Sequence, residues 1–113
     1  MTRLFLAGVL LAASFAATAA GNAESGKARA MKGEQGGRCA DCHGADGNKP
    51  SAPDQPILAG QHYDYLVRAL TDYKIGRRTN PVMKGFAAQL SKQDIEDLAA
   101  WFSSQKSSLH DQR

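Results

Sequence analysis

The two cysteines of this chain lie close together, and a histidine follows the second of them. The segment reads Cys39-Ala40-Asp41-Cys42-His43, a C-x-x-C-H motif, and these are the only cysteines among the 113 residues. A disulfide between them would close a very small loop, and such a loop removes little entropy from the unfolded chain. A chain of this length forms one domain at most. The cysteines therefore require an explanation other than a stabilising disulfide.

Residues 1–20 have the layout of a secretory signal peptide. Arg3 supplies a positive start, an apolar run follows, and small residues end the segment. The apolar run is shorter than the roughly 20 residues that a membrane span prefers. We predict cleavage after Ala19 or Ala20, which leaves a mature domain over residues 21–113 without a membrane span. Such a protein is exported to the bacterial periplasm, where thiols oxidise readily.

The mature sequence favours helices over strands. Alanines and alternating charges favour a helix over residues 22–31, and apolar residues recur at helical spacing in residues 63–73 and 91–102. Gly76 is expected to end the second of these helices, and Ser91 followed by Asp94 is expected to cap the start of the third. A further short helix is predicted over residues 85–90, and no segment shows strand alternation of useful length. The polar tail, residues 103–113, is expected to fray. We predict an all-α fold of three to four helices. Because loops of about a dozen residues are uncommon inside a compact domain, this small core indicates a bound cofactor.

The C-x-x-C-H motif matches covalent haem attachment. Two thiols at this spacing can add to the two vinyl groups of one haem, and His43 is then placed to bind the iron. A thioredoxin-like redox pair requires a βαβ context, which the sequence lacks. A zinc site would need help from His62 or His110, because the adjacent Cys42 and His43 do not easily share one metal. One covalent haem c, with its iron, is the predicted cofactor.

Four further stretches extend the pattern beyond this motif. They are Pro56-Ile57-Leu58-Ala59-Gly60-Gln61, Tyr65-Leu66 with Gly76-Arg77, Asn80-Pro81-Val82-Met83-Lys84-Gly85-Phe86, and the run from Leu90 to Phe102. In this order, over residues 22–105, the chain resembles the small class I c-type cytochromes of the bacterial periplasm, especially one half of the two-domain dihaem kind. The resemblance implies a small class I cytochrome c fold, with helices and loops wrapped around one covalently bound haem.

The resemblance also implies the second iron ligand. In the family, a methionine of the Asn80–Phe86 stretch binds the iron, and Met83 matches it. Met83 lies forty residues after His43, on a predicted loop bounded by Pro81, so the chain is long enough to reach the other face of the haem. A soft thioether ligand favours ferrous iron and raises the reduction potential. The other candidates in the mature chain are Met31, His62 and His110.

Two structural contacts follow from the same resemblance. The backbone carbonyl of Pro56 is expected to accept a hydrogen bond from the second ring nitrogen of His43, because iron-bound histidines are usually fixed in this way. The first and last helices are expected to cross with a small residue against an aromatic one, and Gly26 and Trp101 are the candidates. The glycine-rich segment 33–37 is an addition to the family pattern, and it leaves the exact docking of the first helix open.

Four cations flank the predicted Met83 loop. A ring of positive charge at an exposed haem edge would steer an acidic redox partner, although an ordinary solvated loop, or pairing of Arg77 with a haem propionate, explains the pattern equally well. The net charge of +3 is modest and forms no dense basic block, so we predict no nucleic-acid binding. The four residues are Lys74, Arg77, Arg78 and Lys84.

The predicted function is that of a periplasmic monohaem c-type cytochrome, a carrier of single electrons between redox complexes and not an enzyme. Filled axial positions leave no open site at the iron for bond-making chemistry. One alternative is a haem c subunit of a periplasmic dehydrogenase or flavocytochrome complex. A remote alternative is a thiol-disulfide oxidoreductase that uses Cys39 and Cys42.

Overall fold

The described part of the computed structural model comprises Gly8, residues 21–33 and residues 38–109. Within it the chain forms five helices and no strand, so the all-α prediction is confirmed. The helix beyond the predicted three to four is α2, a five-residue turn around the C-x-x-C-H motif. The helices are α1 (Ala23–Ala30), α2 (Cys39–His43), α3 (Tyr63–Ile75), α4 (Pro81–Ala88) and α5 (Lys92–Ser103).

Side chains cap the first turns of the first and last helices. The Asn22 side chain accepts a hydrogen bond from the Ser25 N–H at 2.9 Å and thereby caps α1. At the start of α5, the Ser91 hydroxyl accepts from the Asp94 N–H at 3.0 Å, while Asp94 Oδ2 accepts from the Ser91 N–H at 2.9 Å. This reciprocal capping box satisfies two backbone donors that the helix itself leaves unpaired.

Because of the capping box, part of the free energy of unfolding is expected to depend on pH. The hydrogen bond from the Ser91 N–H holds the pKa of Asp94 below its ordinary value. A lowered pKa contributes stability above the unfolded-state pKa, and that stability is lost as pH falls through the folded-state pKa. We expect Asp94→Asn to cost up to about 1 kcal/mol near neutral pH and progressively less as the pH falls below the ordinary Asp pKa of about 3.9. Denaturant unfolding across this pH range checks it; a cost that stays constant with pH would contradict it.

Helices α1 and α5 cross at a glycine. A Cβ on Gly26 would overlap the backbone carbonyl of Asp97 and would come within 2.9 Å of the Trp101 Cβ. Only glycine permits this approach, so the predicted crossing of Gly26 with Trp101 is confirmed. The buried Asp97 carboxylate strengthens it, because Oδ1 accepts from the Asn22 N–H at 2.7 Å. Helix α1 is therefore docked on α5 despite the added segment before Cys39.

The buried core is small and centres on α5. Leu98 of α5 is the largest fully buried side chain of the described residues. Helices α1 and α3 pack against α5, and α4 packs against α3. Helix α3 ends as predicted at Gly76, whose φ of 85° is a left-handed conformation that favours glycine. The core cluster is Ala30, Leu66, Leu90, Ile95, Leu98, Ala99 and Phe102.

Helix α4 differs from the prediction. A loop through Met83 and a short helix over residues 85–90 were expected, whereas the helix already begins at Pro81. The reason is local: Asn80 Oδ1 accepts from the N–H groups of Val82 and Met83, both at 3.1 Å, and proline suits the first helical position. Met83 consequently lies in the first turn of a helix and not on a loop.

Several predictions concern residues outside the described part. They concern three segments: the predicted signal peptide (residues 1–20, of which only Gly8 is described), residues 34–37 of the glycine-rich segment, and residues 110–113 at the end of the tail. Before that end, Asn48 joins the tail to the loop after α2: its Nδ2 donates to the Lys106 carbonyl at 2.9 Å, and its Oδ1 accepts from the Ser108 N–H at 2.7 Å. None of the described helices has the length and apolar character needed to cross a membrane.

Candidate cofactor site

Helix α2 presents the motif side chains on one face. Cys39, Cys42 and His43 stand at positions i, i+3 and i+4, which are neighbours on a helix surface. Arg38 precedes the helix as its N-cap: its backbone N–H donates to Asp41 Oδ2 at 3.0 Å, and its guanidinium forms an ion pair with Asp41 Oδ1 at 3.0 Å. A very short helix is thus closed by a charged cap, and both thiols and the imidazole face the same space.

The imidazole of His43 is buried and held in one orientation. The residue is 6% exposed, and its Nδ1 lies 2.9 Å from the backbone carbonyl oxygen of Pro56. A carbonyl oxygen only accepts hydrogen bonds, so the proton of the neutral ring resides on Nδ1. Nε2 is left with its lone pair free, which is the state that a metal ligand requires. The structure therefore makes the contact with Pro56 that the family resemblance implies.

The cysteine thiols are free and half-buried. Burial raises the pKa of Cys39, so at neutral pH this residue is a protonated thiol. Thiol-disulfide oxidoreductases depend on the opposite shift, a lowered pKa that produces a reactive thiolate. The environment of Cys39 thus argues against the remote alternative.

A cavity of about 300 Å³ lies beside these side chains. Both cysteines, His43, Pro56 and Met83 all line it, although they come from α2, α4 and the loop between α2 and α3. The structure therefore brings the five predicted site residues to one cavity. Much of the remaining wall is apolar and includes Ile57, Leu58, Leu66, Leu70, Phe86 and Leu98.

The other candidate ligands lie elsewhere. Met31 is 42% exposed at the end of α1, and His62 is exposed at the start of α3; neither lines the cavity. His110 is outside the described residues. No group of three or more His, Cys, Asp or Glu residues that could hold a metal ion occurs in residues 21–33 and 38–109. The arrangement required for the alternative zinc site is thus not found there.

The aromatic residues divide between the cavity and the helix crossing. Tyr65, Tyr73 and Phe102 line the cavity. Trp101 does not: its ring lies beneath the Lys27 ammonium, 5.4 Å from the ring centroid, and its Nε1 donates to the Ala45 carbonyl at 3.0 Å. Trp101 is consequently part of the helix crossing.

Sequence reasoning did not place the charged residues Arg38, Asp54 and Arg78 at the cavity. Arg38 directly precedes the motif, and the sequence groups Arg78 with the other cations that flank the Met83 loop. The signal that could have separated Arg78 from Arg77 is the spacing of tyrosines on α3. Tyr65 and Tyr73 lie two helical turns apart on one face, and both interact with Arg78.

These residues fit a covalent haem c. The cavity offers two free thiols, an imidazole with an available Nε2, a thioether and a largely apolar wall. Two thiols attach the macrocycle of a c-type haem, and imidazole nitrogen and thioether sulfur are among the ligands that haem iron accepts.

Comparisons with known proteins agree with this site. Residues 23–106 match the family model described as cytochrome c. The chain is 48% identical over 93 residues to cytochrome c4 of Pseudomonas aeruginosa, an alignment that covers 82% of this chain and 43% of that protein. It is 39% identical over 64 residues to the cytochrome subunit of sulfide dehydrogenase of Chlorobaculum tepidum, covering 57% of this chain and 56% of that subunit.

A solved structure shares the fold. The crystal structure of reduced cytochrome c4 from Pseudomonas stutzeri superposes with a TM-score of 0.68 at 42% identity, and it covers 80% of this chain and 48% of that one. The chain thus spans about half the length of the cytochrome c4 relatives that it matches. Its cofactor is covalent haem c with iron, and Cys39 and Cys42 fit the haem-binding motif. With a family match that spans most of its length, this chain belongs to the cytochrome c family and corresponds to a single domain of the two-domain dihaem cytochromes c4.

Proposed function

We propose that this chain is a periplasmic monohaem electron carrier whose iron is bound by His43 and Met83. The observation that carries the proposal is the convergence of both side chains, with both cysteines, on one cavity. The sequence contains one C-x-x-C-H motif and therefore one attachment site. When bound, haem c supplies an iron that gains or loses one electron.

The chain's own residues suit electron transfer better than bond-making. Pro56 fixes the His43 ring, so the nitrogen ligand does not reorient when the iron changes charge. Met83 would supply a thioether to the iron, and with both His43 and Met83 bound no ligand position would remain for oxygen or peroxide. Buried Leu98 and Phe102 on the cavity wall exclude water. These features support a carrier without a catalytic reaction of its own.

Location and processing belong to the same proposal. Residues 1–20 act as a signal peptide cleaved after Ala19 or Ala20, and residues 21–113 form the working domain. N-terminal sequencing of protein isolated from the periplasm tests both statements. A mature chain that keeps Arg3 would contradict them.

A redox titration followed by absorption tests the electron-carrier function. We expect a single reversible transition that fits one electron per chain, with no turnover of oxygen or peroxide. Two transitions of equal amplitude would contradict a monohaem carrier, and rapid peroxide consumption would contradict filled axial positions.

A haem subunit of a dehydrogenase complex is the second candidate function. It is favoured by the similarity to the cytochrome subunit of sulfide dehydrogenase and by exposed apolar side chains near the cavity, Tyr65 at 50% and Val82 at 63% exposed. A subunit would purify in a stable complex with its catalytic partner, whereas a free carrier would purify alone. Size-exclusion chromatography of the native periplasmic protein distinguishes the two.

The proposed docking surface for an acidic partner contains fewer residues than the four cations predicted from the sequence. The Lys74 ammonium donates to the Leu90 carbonyl, and Arg78 contacts two tyrosines, so both have partners within the chain. Arg77 and Lys84 are exposed and flank Met83 in sequence. We therefore define the docking surface as Arg77 and Lys84.

Reversing both charges of the docking surface should slow reaction with an anion. With hexacyanoferrate(III) as oxidant, we expect Arg77→Glu with Lys84→Glu to lower the second-order rate about tenfold at low salt, with the difference shrinking as ionic strength rises. Stopped-flow absorption measures the rate. The control is Lys32→Glu with Lys106→Glu, at two exposed lysines that do not line the cavity. Equal slowing in both double variants would show that only net charge matters.

A further inference from the structure

The carbonyl group that orients the His43 ring belongs to a residue that cannot hold itself in place. Pro56 is exposed, although its carbonyl oxygen lies 2.9 Å from Nδ1 of the buried His43. A proline also has no backbone N–H with which to donate a hydrogen bond. Since neither burial nor its own backbone donor holds Pro56, the residues on either side of it must fix the position of this carbonyl.

On the C-terminal side of Pro56, backbone hydrogen bonds hold the chain. The N–H groups of Leu58 and Ala59 both donate to the Gly47 carbonyl, at 2.8 and 3.2 Å. Gly47 is buried in the loop that follows α2, and Ala59 is buried as well. This side is therefore joined to the segment directly after the C-x-x-C-H motif without the help of a side chain.

On the N-terminal side, the amide oxygen of Gln55 accepts three hydrogen bonds. They come from the Ser51 N–H at 2.9 Å, the Ser51 hydroxyl at 2.8 Å and the Ala52 N–H at 2.9 Å. Backbone N–H groups only donate, so the atom that faces them is the amide oxygen and not the amide nitrogen. The half-buried Gln55 side chain thus closes the turn over residues 51–55, directly before Pro56.

The same turn is joined to the motif helix. The Ser51 N–H, besides donating to Gln55, donates to the Cys42 carbonyl at 2.9 Å. Gln55 lines the cavity together with Pro56. Hydrogen bonds therefore connect α2 through Ser51 to the Gln55 side chain, one residue before the carbonyl that faces Nδ1 of His43.

We infer that Gln55 is a positioning residue for the iron ligand His43: its side chain fixes the Pro56 carbonyl, maintains the hydrogen bond to Nδ1 and thereby lowers the reduction potential. A hydrogen bond from Nδ1–H to an oxygen acceptor orients the imidazole and raises its basicity as a ligand. A more basic ligand favours ferric iron, which carries the higher charge. This inference rests on the proposed function, because it presupposes that His43 binds the iron.

The test removes the acceptor oxygen with Gln55→Leu in the haem-loaded protein. We expect hydrogen exchange of the His43 Nδ1–H, followed by proton NMR, to accelerate about tenfold, because the hydrogen bond to Pro56 opens more often. The equilibrium constant for one-electron reduction should rise roughly threefold, about 28 mV at 59 mV per decade. Redox titration at constant pH and salt measures the second effect.

Two further variants separate positioning from a general loss of stability. Gln55→Glu is the conservative variant, since a carboxylate oxygen accepts from the same donors, and its exchange rate should stay within about twofold of that of the unsubstituted protein. Gln105→Leu is the matched control: Gln105 is also half-buried and donates to the Trp101 carbonyl at 3.0 Å, but it does not line the cavity. We expect this control to leave the exchange rate and the reduction potential unchanged.

A milder variant keeps the inference testable if Gln55→Leu does not fold. Ser51→Ala removes only the hydroxyl donor and should accelerate the exchange about twofold. Unchanged exchange in whichever of these two variants folds would overturn the inference, and so would equal acceleration in Gln55→Leu and Gln105→Leu. Failure of the proposed function looks different: the unsubstituted chain would then retain no haem, or would lack the spectrum of iron bound by histidine and methionine.

Discussion

Met83→Ala is expected to lower the reduction potential by on the order of 0.1–0.3 V and to open the iron to carbon monoxide. The thioether stabilises ferrous iron, so its loss favours the ferric state. Alanine cannot bind iron, and water or an external ligand can then occupy the vacated position. The covalent attachment at Cys39 and Cys42 does not depend on Met83, so the variant should still carry its haem.

Redox titration and carbon monoxide difference spectra measure this effect. The matched control is Met31→Ala, which removes an exposed methionine that does not line the cavity. We expect the control to leave the potential and the carbon monoxide spectrum unchanged. If Met83→Ala also left both unchanged, or if only Met31→Ala altered them, Met83 would not be the ligand.

Gly26→Ala is expected to destabilise the folded chain by about 3 kcal/mol. A methyl group at this position overlaps the Asp97 backbone, which belongs to helix α5 and cannot move aside as a flexible side chain would. The two helices must separate, and the hydrogen bond from the Asn22 N–H to Asp97 is then strained or lost. A small domain has only about 5–15 kcal/mol of stability, so this loss is a large fraction.

The control for this prediction is Gly85→Ala in helix α4. No heavy atom lies within 4 Å of a Cβ built there. Alanine has the higher helix propensity, so we expect this variant to be stabilised by about 0.5–1 kcal/mol or to be unchanged. Denaturant unfolding of the haem-loaded proteins compares the two. If Gly26→Ala were as stable as Gly85→Ala, the close crossing of α1 with α5 would not be required for the fold.

Local sequence signals predicted most of the helix boundaries. Ser91 with Asp94 identified the start of α5, and Gly76 identified the end of α3, because capping depends on neighbouring residues alone. The Asn80-Pro81 start of α4 carried an equally local signal, but the proline was interpreted as a loop boundary. The placement of Met83 was wrong for that reason, although the residue itself reaches the cavity.

The sequence predicted which cofactor the candidate site holds, but only some of the residues that line the cavity. The spacing of Cys39, Cys42 and His43 specifies covalent haem without any knowledge of the fold. Met83 and Pro56 came from the family resemblance, since the approach of chain segments so distant in sequence depends on tertiary packing. Arg78 lies at the cavity although it is exposed, and this position depends on the turn at Gly76 and on its interactions with Tyr65 and Tyr73 of α3.

The central claim is that one haem, attached through Cys39 and Cys42, fills the cavity and is the working part of the molecule. The most direct measurement is acid–acetone extraction of protein made with the cytochrome c maturation machinery, followed by the mass and absorption spectrum of the polypeptide. We predict that the colour stays with the chain, at one haem per polypeptide, and that Cys39→Ala with Cys42→Ala abolishes this retention. A chain that is colourless after extraction, or that is folded and stable without ever binding haem, would contradict the claim.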